Sequence, residues 1–367
     1  MVIRPWCAVS IVVVAVGGAP HAARQTASAG ATRPNLQVLQ TLPESQLFPL
    51  MNLVADSLGV RCDYCHVRVA PDLTKTPSNT GGWAWERDDK PQKRTAREMM
   101  RMLIDLNARR FAGESRVTCY TCHRGSPQTT RLPPLPPRAD LTTTAAPPPL
   151  PSADRVWSNY LSAVGQSDDS ARAGAIVITG WDDRPEGRYG KVEITVAGAD
   201  RYRATLSTPD GSVSQGLNGD VGWAAVNDRV QRLPAGDLAR ARRVAMRHQP
   251  VKAERPANLQ VVGIERLAGG DAYVSTARLD PITTRTLYFD IVTGLLRRDV
   301  VTSETLLVPL EEQVEYDDYR DVDGMRLPFR MRISDGAPYA TITRTFTEIR
   351  RGVPVDDALF RPPSPPR

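Results

Sequence analysis

Residues 62–66 read CDYCH, and residues 119–123 read CYTCH. Both stretches follow the pattern C-x-x-C-H, in which two cysteines stand three positions apart and a histidine follows directly. Two thiols at this spacing can form thioether bonds to the two vinyl groups on one edge of a porphyrin, and the adjacent histidine then reaches the iron. The two copies therefore predict two covalently bound c-type haems. The residues predicted to attach them are Cys62, Cys65, His66, Cys119, Cys122 and His123.

Two other uses of paired cysteines compete with this interpretation. A zinc site with four cysteine ligands also draws on C-x-x-C pairs, and two local disulfides would suit an oxidising compartment. Neither explains why a histidine follows each pair. The sequence contains 5 cysteines and 4 histidines, and the two motifs use every cysteine except Cys7. The duplicated pattern therefore favours haem.

The N-terminus predicts export. Arg4 precedes an apolar run over residues 6–16, which is shorter than the roughly 20 residues needed to span a bilayer. Small residues follow, and residues 27–29 fit an A-x-A cleavage site. We therefore expect residues 1–29 to be a signal peptide and the protein to be periplasmic. The formal net charge of +6 over 367 residues is too small to indicate a nucleic-acid-binding protein.

A haem iron of this kind takes a second axial ligand, and methionine is a common one in cytochromes c. Beyond the signal peptide the only further histidine is His248, far from both motifs, so elimination favours methionine. Before the first motif, an apolar face with helical spacing ends at Gly59 and offers Met51 as this ligand. The face consists of Leu47, Leu50, Met51, Val54 and Leu58.

A second apolar face precedes the second motif, on a helix predicted over about residues 94–107. It consists of Met99, Met102, Leu103 and Leu106. This stripe alone does not choose between Met99 and Met102, and methionines at helical spacing are also typical of an ordinary hydrophobic core. Met100 lies about 100° around the helix from Met99, so we expect it to point away from this face.

Four stretches of this region resemble the haem-binding part of the photosynthetic reaction-centre cytochrome c subunit family. They are NLQVL at 35–39, LGVRC at 58–62, KRTAR at 93–97 with Met99 after it, and VTCYTCHRG at 117–125. Larger members of that family carry four haems, each on a helix followed by C-x-x-C-H, and the two motifs here resemble the first pair.

In the first pair of that family, a helix methionine is the sixth iron ligand. Carried over by position, this resemblance implies the iron ligands Met51 with His66 and Met99 with His123. It also implies one-electron transfer and partners in the bacterial envelope, including a membrane-bound electron-transfer complex.

The remainder of the chain predicts a spacer and a second domain. Residues 126–151 are rich in proline and should form an extended linker that leaves the two domains independent. Residues 152–361 begin with an amphipathic helix that carries Trp157 and Tyr160. Strand-like segments follow at regular spacing, and a helix near 238–248 interrupts them, which indicates an α+β domain with an antiparallel sheet. Residues 362–367 form a proline-rich tail.

Two stretches of the second domain are similar to the exported lipoprotein-carrier family. They are FDIVTGLLR at 289–297 and DYRDVDG at 318–324, the latter followed by LPF at 327–329. In that family a curved half-barrel sheet and helices enclose an apolar cavity for acyl chains. The resemblance therefore implies a half-barrel and allows a lipid or hydrophobic ligand.

Together these observations predict a multidomain protein. A mainly α-helical dihaem c-type cytochrome domain at 30–125 precedes an α+β antiparallel half-barrel domain. The predicted function is electron transfer without enzymatic chemistry, because the second domain lacks cysteine and has a single histidine, His248, expected at the surface near a helix C-terminus. Two alternatives stay open: redox sensing or hydrophobic-ligand binding in the envelope, and a haem enzyme with an open coordination site.

Overall fold

The computed structural model describes residues 35–69, 83–129, 149–165 and 174–363, with short gaps at 43, 186, 199, 210, 227–228, 234, 249–254, 306 and 335–340. The predicted signal peptide, most of the predicted linker and the last four residues lie outside the described residues. No helix in the described part of the chain is long and apolar enough to cross a bilayer.

Residues 35–129 form a small helical segment. Its elements are α1 (Glu44–Leu58), a 3-10 turn (Cys62–Tyr64), β1 (Val67–Arg68), β2 (Trp83–Ala84), α2 (Pro91–Arg110) and α3 (Cys119–His123). Pro91 occupies the first turn of α2, where its missing N–H leaves no hydrogen bond unmade. β1 and β2 pair antiparallel. Of the part of the chain that the structure describes, only 25% is helical, so the structure taken together is not mainly α-helical.

The second part of the chain opens with α4 (Ala153–Val164) and builds one antiparallel sheet, which α5 (Ala235–Met246) interrupts between β8 and β9. The strands are β3 (Ala175–Arg184), β4 (Gly187–Ala197), β5 (Arg201–Thr208), β6 (Gly211–Asn218), β7 (Val221–Val226), β8 (Arg229–Arg232), β9 (Gln260–Leu267), β10 (Gly270–Asp280), β11 (Thr283–Asp290), β12 (Leu296–Ser303), β13 (Leu310–Val322), β14 (Met325–Ser334) and β15 (Ile342–Val353).

The first strand of the sheet, β3, pairs with the last, β15. Strands that follow one another in the chain are otherwise neighbours, except β8 and β9, which among the described residues are the two edges of the sheet. The predicted antiparallel sheet domain is confirmed. The strand-like segments expected at 175–180, 191–197, 202–207, 261–266 and 272–277 lie within strands, and the one expected at 286–291 extends one residue beyond β11. The segments expected at 295–301 and 339–346 overlap β12 and β15.

One face of the sheet carries the main core. Helix α4 places Val156, Trp157, Tyr160 and Val164 in a buried cluster with residues from both halves of the sheet, among them Phe289. The Phe289 ring lies 5.3 Å from that of Tyr160. At the start of α4, the Ser152 hydroxyl accepts a hydrogen bond from the Arg155 N–H, which caps the helix.

His248 lies in this interior and not at the surface, so the sequence-based prediction for it is wrong. Only 5% of the residue is exposed, and its ring stacks on Tyr202 and meets the edge of Phe346. Burial, followed by the charges of Arg344 and Arg247, lowers its pKa to about 3. The imidazole is therefore neutral at physiological pH.

A second core cluster joins the helical segment to the sheet domain. Leu50 of α1 and Met100 and Leu103 of α2 are buried together with Leu307 and Val308, which lie between β12 and β13. The backbone N–H groups of Leu307 and Val308 both donate to the Thr305 hydroxyl, so this turn is held locally. The expectation of two independent domains is therefore wrong, because the sheet domain supplies part of the core of the helical segment.

Candidate cofactor site

The first C-x-x-C-H motif forms a compact turn directly after α1. Gly59 ends the helix with a φ of +62°, a backbone conformation that glycine adopts without strain. The motif then folds as a 3-10 turn in which the His66 N–H donates to the Cys62 carbonyl at 2.9 Å. Both cysteines of the motif are half-buried, and burial raises the pKa of the Cys65 thiol.

The His66 imidazole lies against an aromatic group. The Trp85 ring meets it edge-on, with ring centroids 4.8 Å apart and planes at 73°. Burial, aided by the charges of Lys93, Arg97 and Lys90, lowers the pKa of His66 to about 4. The ring is therefore neutral at pH 7, which is the form of imidazole that binds a metal.

The second motif is a short capped helix. Thr118 and Thr121 form a reciprocal capping box at the start of α3, which satisfies the free N–H groups there. Asn107, buried near the end of α2, donates to the Val117 carbonyl at 2.8 Å and accepts from the Val117 N–H at 3.0 Å. This two-bond clamp fixes where α3 begins relative to α2.

The His123 ring is oriented by its own loop. Its Nδ1 lies 3.0 Å from the Ser126 carbonyl oxygen. A ring N–H that donates to a backbone carbonyl sets the tautomer and leaves the other nitrogen for a metal. The second motif therefore has the geometry expected of a proximal iron ligand. Its Cys119 thiol is largely buried, which raises its pKa.

The two motifs are joined at their ends. The Gly125 N–H, just after the second motif, donates to the Ser57 carbonyl in the last turn of α1 at 2.9 Å. A Cβ on Gly59 would lie 2.1 Å from the Gly125 carbonyl oxygen, so the backbones touch here. Two motifs that are far apart in sequence thus belong to one unit.

A buried ionic network supports the loop between β2 and α2. The Asp88 carboxylate forms salt bridges with Lys93 at 2.9 Å and with Arg97 at 2.8 Å, and both basic residues are buried. Hydrogen bonds from Arg97 and from the Asn35 and Lys93 side chains hold the pKa of Asp88 well below its usual range. Arg97 also donates to the Asn35 carbonyl at 3.0 Å. Lys93 and Arg97, two basic residues of the KRTAR stretch, therefore stabilise the fold from inside the protein and are not part of a solvent-exposed basic surface.

The methionines of α1 and α2 differ in how far they are exposed to solvent. Met51 is half-buried beside the core cluster of α1 and α2. Met99 and Met102 are 41% and 53% exposed, whereas Met100 is only 8% exposed. The expectation that Met100 points away from the apolar face is wrong. Met100 packs in the core cluster that includes Leu307, and because Leu307 is distant in sequence, the pattern within α2 could not indicate this contact.

The cysteine pairs do not converge on a shared metal site. No three His, Cys, Asp or Glu side chains among the described residues lie close enough to hold a metal ion. All four motif cysteines have free thiols. Each motif contributes its own set of two thiols and one imidazole to the site.

Comparison with known proteins relates this region to cytochromes. Residues 69–132 match the family described as the photosynthetic reaction centre cytochrome C subunit, a match that contains the second motif and begins after the first. The chain is 33% identical over 99 residues to cytochrome c-554 of Chloroflexus aurantiacus. It is 33% identical over 97 residues to the photosynthetic reaction center cytochrome c subunit of Thermochromatium tepidum. Each alignment covers 25% of this chain and 20% of the relative.

Two solved structures each align with somewhat more than half of this chain. A LolA superfamily protein from Nitrosomonas europaea aligns with 58% of this chain and 98% of its own, at 12% identity and a TM-score of 0.39. A putative outer membrane lipoprotein-sorting protein domain from Vibrio parahaemolyticus aligns with 56% of this chain and 97% of its own, at 11% identity and a TM-score of 0.37.

Sequence reasoning found the cysteines and histidines of both motifs but missed the residues that place them. Trp85 lies 19 positions from His66, and Asn107 lies 10 positions from Val117, just before the second motif; neither belongs to a recognisable pattern. A single aromatic and a single amide carry no periodic signal, so only the folded chain brings them to the site.

Proposed function

We propose that this chain is a dihaem c-type cytochrome of the bacterial periplasm that transfers single electrons between partner proteins of the envelope. The observation that carries the proposal is the pair of C-x-x-C-H turns, joined through Ser57 and Gly125 into one unit. In this proposal, residues 1–29 are a signal peptide, 30–125 the mainly helical cytochrome domain, 126–151 a linker and 152–361 a half-barrel domain.

The surface around both motifs supports this proposal. Large apolar side chains are exposed within the helical segment although it has only a small core of its own. A flat apolar cofactor would cover such side chains and account for their exposure. They are Phe48, Tyr64, Met99, Met102, Phe111 and Tyr120.

Within this proposal each residue of the site has a defined role. The cysteine pairs hold a haem through thioether bonds, and His66 and His123 are the histidine iron ligands. Met51 and Met99 are the proposed sixth ligands. When bound, haem iron alternates between Fe(II) and Fe(III), and histidine with methionine ligation gives it a comparatively high potential. The chain itself orients the imidazoles and keeps His66 neutral.

One cavity in the described part of the sheet domain is too small for the hydrophobic ligand that the alternative function requires. The cavity between α4, α5 and the sheet measures about 30 Å³ and is bordered by Trp157, Tyr160, Arg285 and Phe289. That is about the volume of one water molecule, whereas ligand pockets usually measure about 300–1,000 Å³. A cleft of about 350 Å³ beside α4 and the 290–294 turn is open to solvent.

The proposal predicts two covalent haems in each chain. Intact mass spectrometry and a haem stain after denaturing electrophoresis should show the mass of the protein plus two haems. Replacing Cys62 and Cys65 together by alanine should remove one haem, and replacing Cys119 and Cys122 should remove the other. A full-length protein that binds zinc and carries no covalent haem would refute the proposal.

The proposed methionine ligands predict a difference between two neighbouring side chains of α2. An iron–thioether bond gives ferric haem a weak absorption band at the red end of the visible spectrum. Met51→Ala and Met99→Ala should each remove about half of this band and lower one midpoint potential, because a ligand that favours Fe(II) is lost.

Met102→Ala is the matched control for Met99→Ala, since both side chains are exposed on the same helix. It should preserve the band, because Met102 is not a proposed iron ligand. Loss of the band in Met102→Ala with its retention in Met99→Ala would assign the ligand to Met102.

A further inference from the structure

The two motif histidines are held in different ways. His123 Nδ1 lies 3.0 Å from the Ser126 carbonyl oxygen, so a hydrogen bond can fix the plane of that ring. His66 Nδ1 is buried and has no hydrogen-bond partner in the described part of the chain. The His66 ring is therefore oriented by packing together with a hydrogen bond to the Trp85 backbone, and the side chains packed against it are identified by their ring contacts.

Trp85 is the ring that packs against His66, and it is itself enclosed by two other aromatic side chains. Its centroid lies 4.8 Å from that of His66. Phe48 of α1 meets Trp85 edge-on at 5.8 Å, and Trp83 stacks on it at 5.2 Å with planes 20° apart. The indole is therefore fixed on several sides, and it limits how far the imidazole can rotate.

The backbone brings Trp85 to this position through β1 and β2. The register pairs Val67 with Ala84 and Arg68 with Trp83, so the residue directly after His66 is tied to the residue directly before Trp85. The Arg68 guanidinium also lies over the Trp83 ring, 4.9 Å from its centroid. A pairing of only two residues is weak by itself, and the loop that follows supplies the remaining support.

Lys93 holds that loop from inside the protein. Its ammonium group donates to the Trp85 carbonyl at 2.7 Å and to the Arg87 carbonyl at 2.6 Å, and it pairs with Asp88. Burying a lysine is unfavourable unless its charge is paired and its hydrogen bonds are made. All three partners of the Lys93 ammonium group lie in residues 85–88. The lysine therefore holds the backbone of this loop, and with it Trp85, in place.

We infer that Trp85 is a positioning residue for the His66 ligand and thereby sets the potential and spectrum of the haem on the first motif only. This inference rests on the proposed function. The plane of an axial imidazole and its freedom to rotate affect how strongly it binds ferric and ferrous iron, as other contacts to ligating histidines do. His123 has its carbonyl partner instead, so the second haem should not respond to Trp85.

The test uses full-length Trp85→Leu, Trp85→Phe and Trp83→Leu proteins. Potentiometric titration gives the two midpoint potentials, and electron paramagnetic resonance of the ferric protein gives one signal for each haem. In Trp85→Leu we expect one potential and one ferric signal to shift while the others stay unchanged. Trp85→Phe, which keeps an aromatic ring beside His66, should restore both. Trp83→Leu, which removes the outer indole, should behave like the wild type.

Each other outcome is decisive. Unchanged potentials and signals in Trp85→Leu, or equal shifts of both haems, would overturn the inference. If Trp85→Leu fails to incorporate the first haem, the inference stands only when Trp85→Phe restores incorporation and Trp83→Leu does not lose it. Absence of covalent haem from the wild-type protein would instead refute the proposed function, so the two failures are distinguishable.

Discussion

Leu307→Ala is expected to destabilise the helical segment although Leu307 belongs to the sheet domain. The side chain is 1% exposed and packs with Leu50, Met100 and Leu103. Removing a buried leucine side chain from a core typically costs about 2–5 kcal/mol. We therefore expect the free energy of unfolding of the segment to fall by that amount, measured by urea denaturation and followed through the fluorescence of Trp83 and Trp85 and the visible spectrum.

Leu279→Ala is the matched control, because Leu279 lies in β10 and is 40% exposed. It should change the free energy of unfolding by about 0.5 kcal/mol or less. Equal effects of the two substitutions would show that Leu307 is not part of the core of the segment. A chain shortened to end near residue 134 should also lose stability in the helical segment, as Leu307→Ala does. Without the sheet domain, the apolar faces of α1 and α2 lack the residues that pack against them.

Gly59→Ala should have an effect of similar size through a different mechanism. The new Cβ would stand 2.1 Å from the Gly125 carbonyl oxygen, and the φ of +62° is unfavourable for alanine. Strain of this kind costs about 1–3 kcal/mol, and forcing the backbones apart adds a comparable cost. Thermal unfolding should therefore occur at a lower temperature, with loss of the Ser57–Gly125 hydrogen bond between the two motifs.

Gly113→Ala separates the two causes. Gly113 also has a positive φ, of +86°, but a Cβ there would meet nothing within 4 Å. It should show the conformational strain alone and so lose less stability than Gly59→Ala. If both variants unfold at the same temperature, the close approach of Gly59 to Gly125 contributes nothing measurable.

The sequence predicted the regular elements better than the partners of their apolar faces. The helices expected at 47–58 and 94–107 are present as α1 and α2, each a few residues longer, because helical spacing is a local property. The burial of Met100 was missed because its partner Leu307 lies in the other domain. His248 was missed for the same reason, since the rings that enclose it come from β5 and β15.

The full length of β13 could not be predicted from the sequence either, because the strand contains many charged residues. This strand alternates acidic and apolar residues, and only its end was noticed, as a turn. In the folded sheet Glu315 pairs with Arg298 of β12 at 2.7 Å and with Arg332 of β14 at 3.0 Å. Opposite charges on neighbouring strands stabilise a sheet, but the pairing is visible only when the strand order is known.

The contribution of Leu307 to the core of α1 and α2 has a consequence for biosynthesis. A polypeptide is made from its N-terminus, so both cysteine motifs emerge long before the turn between β12 and β13 exists. Until that turn arrives, the apolar faces of α1 and α2 remain uncovered and the motifs are accessible. Under the proposed function, haem attachment would therefore meet both motifs open, before the rest of the chain covers the segment.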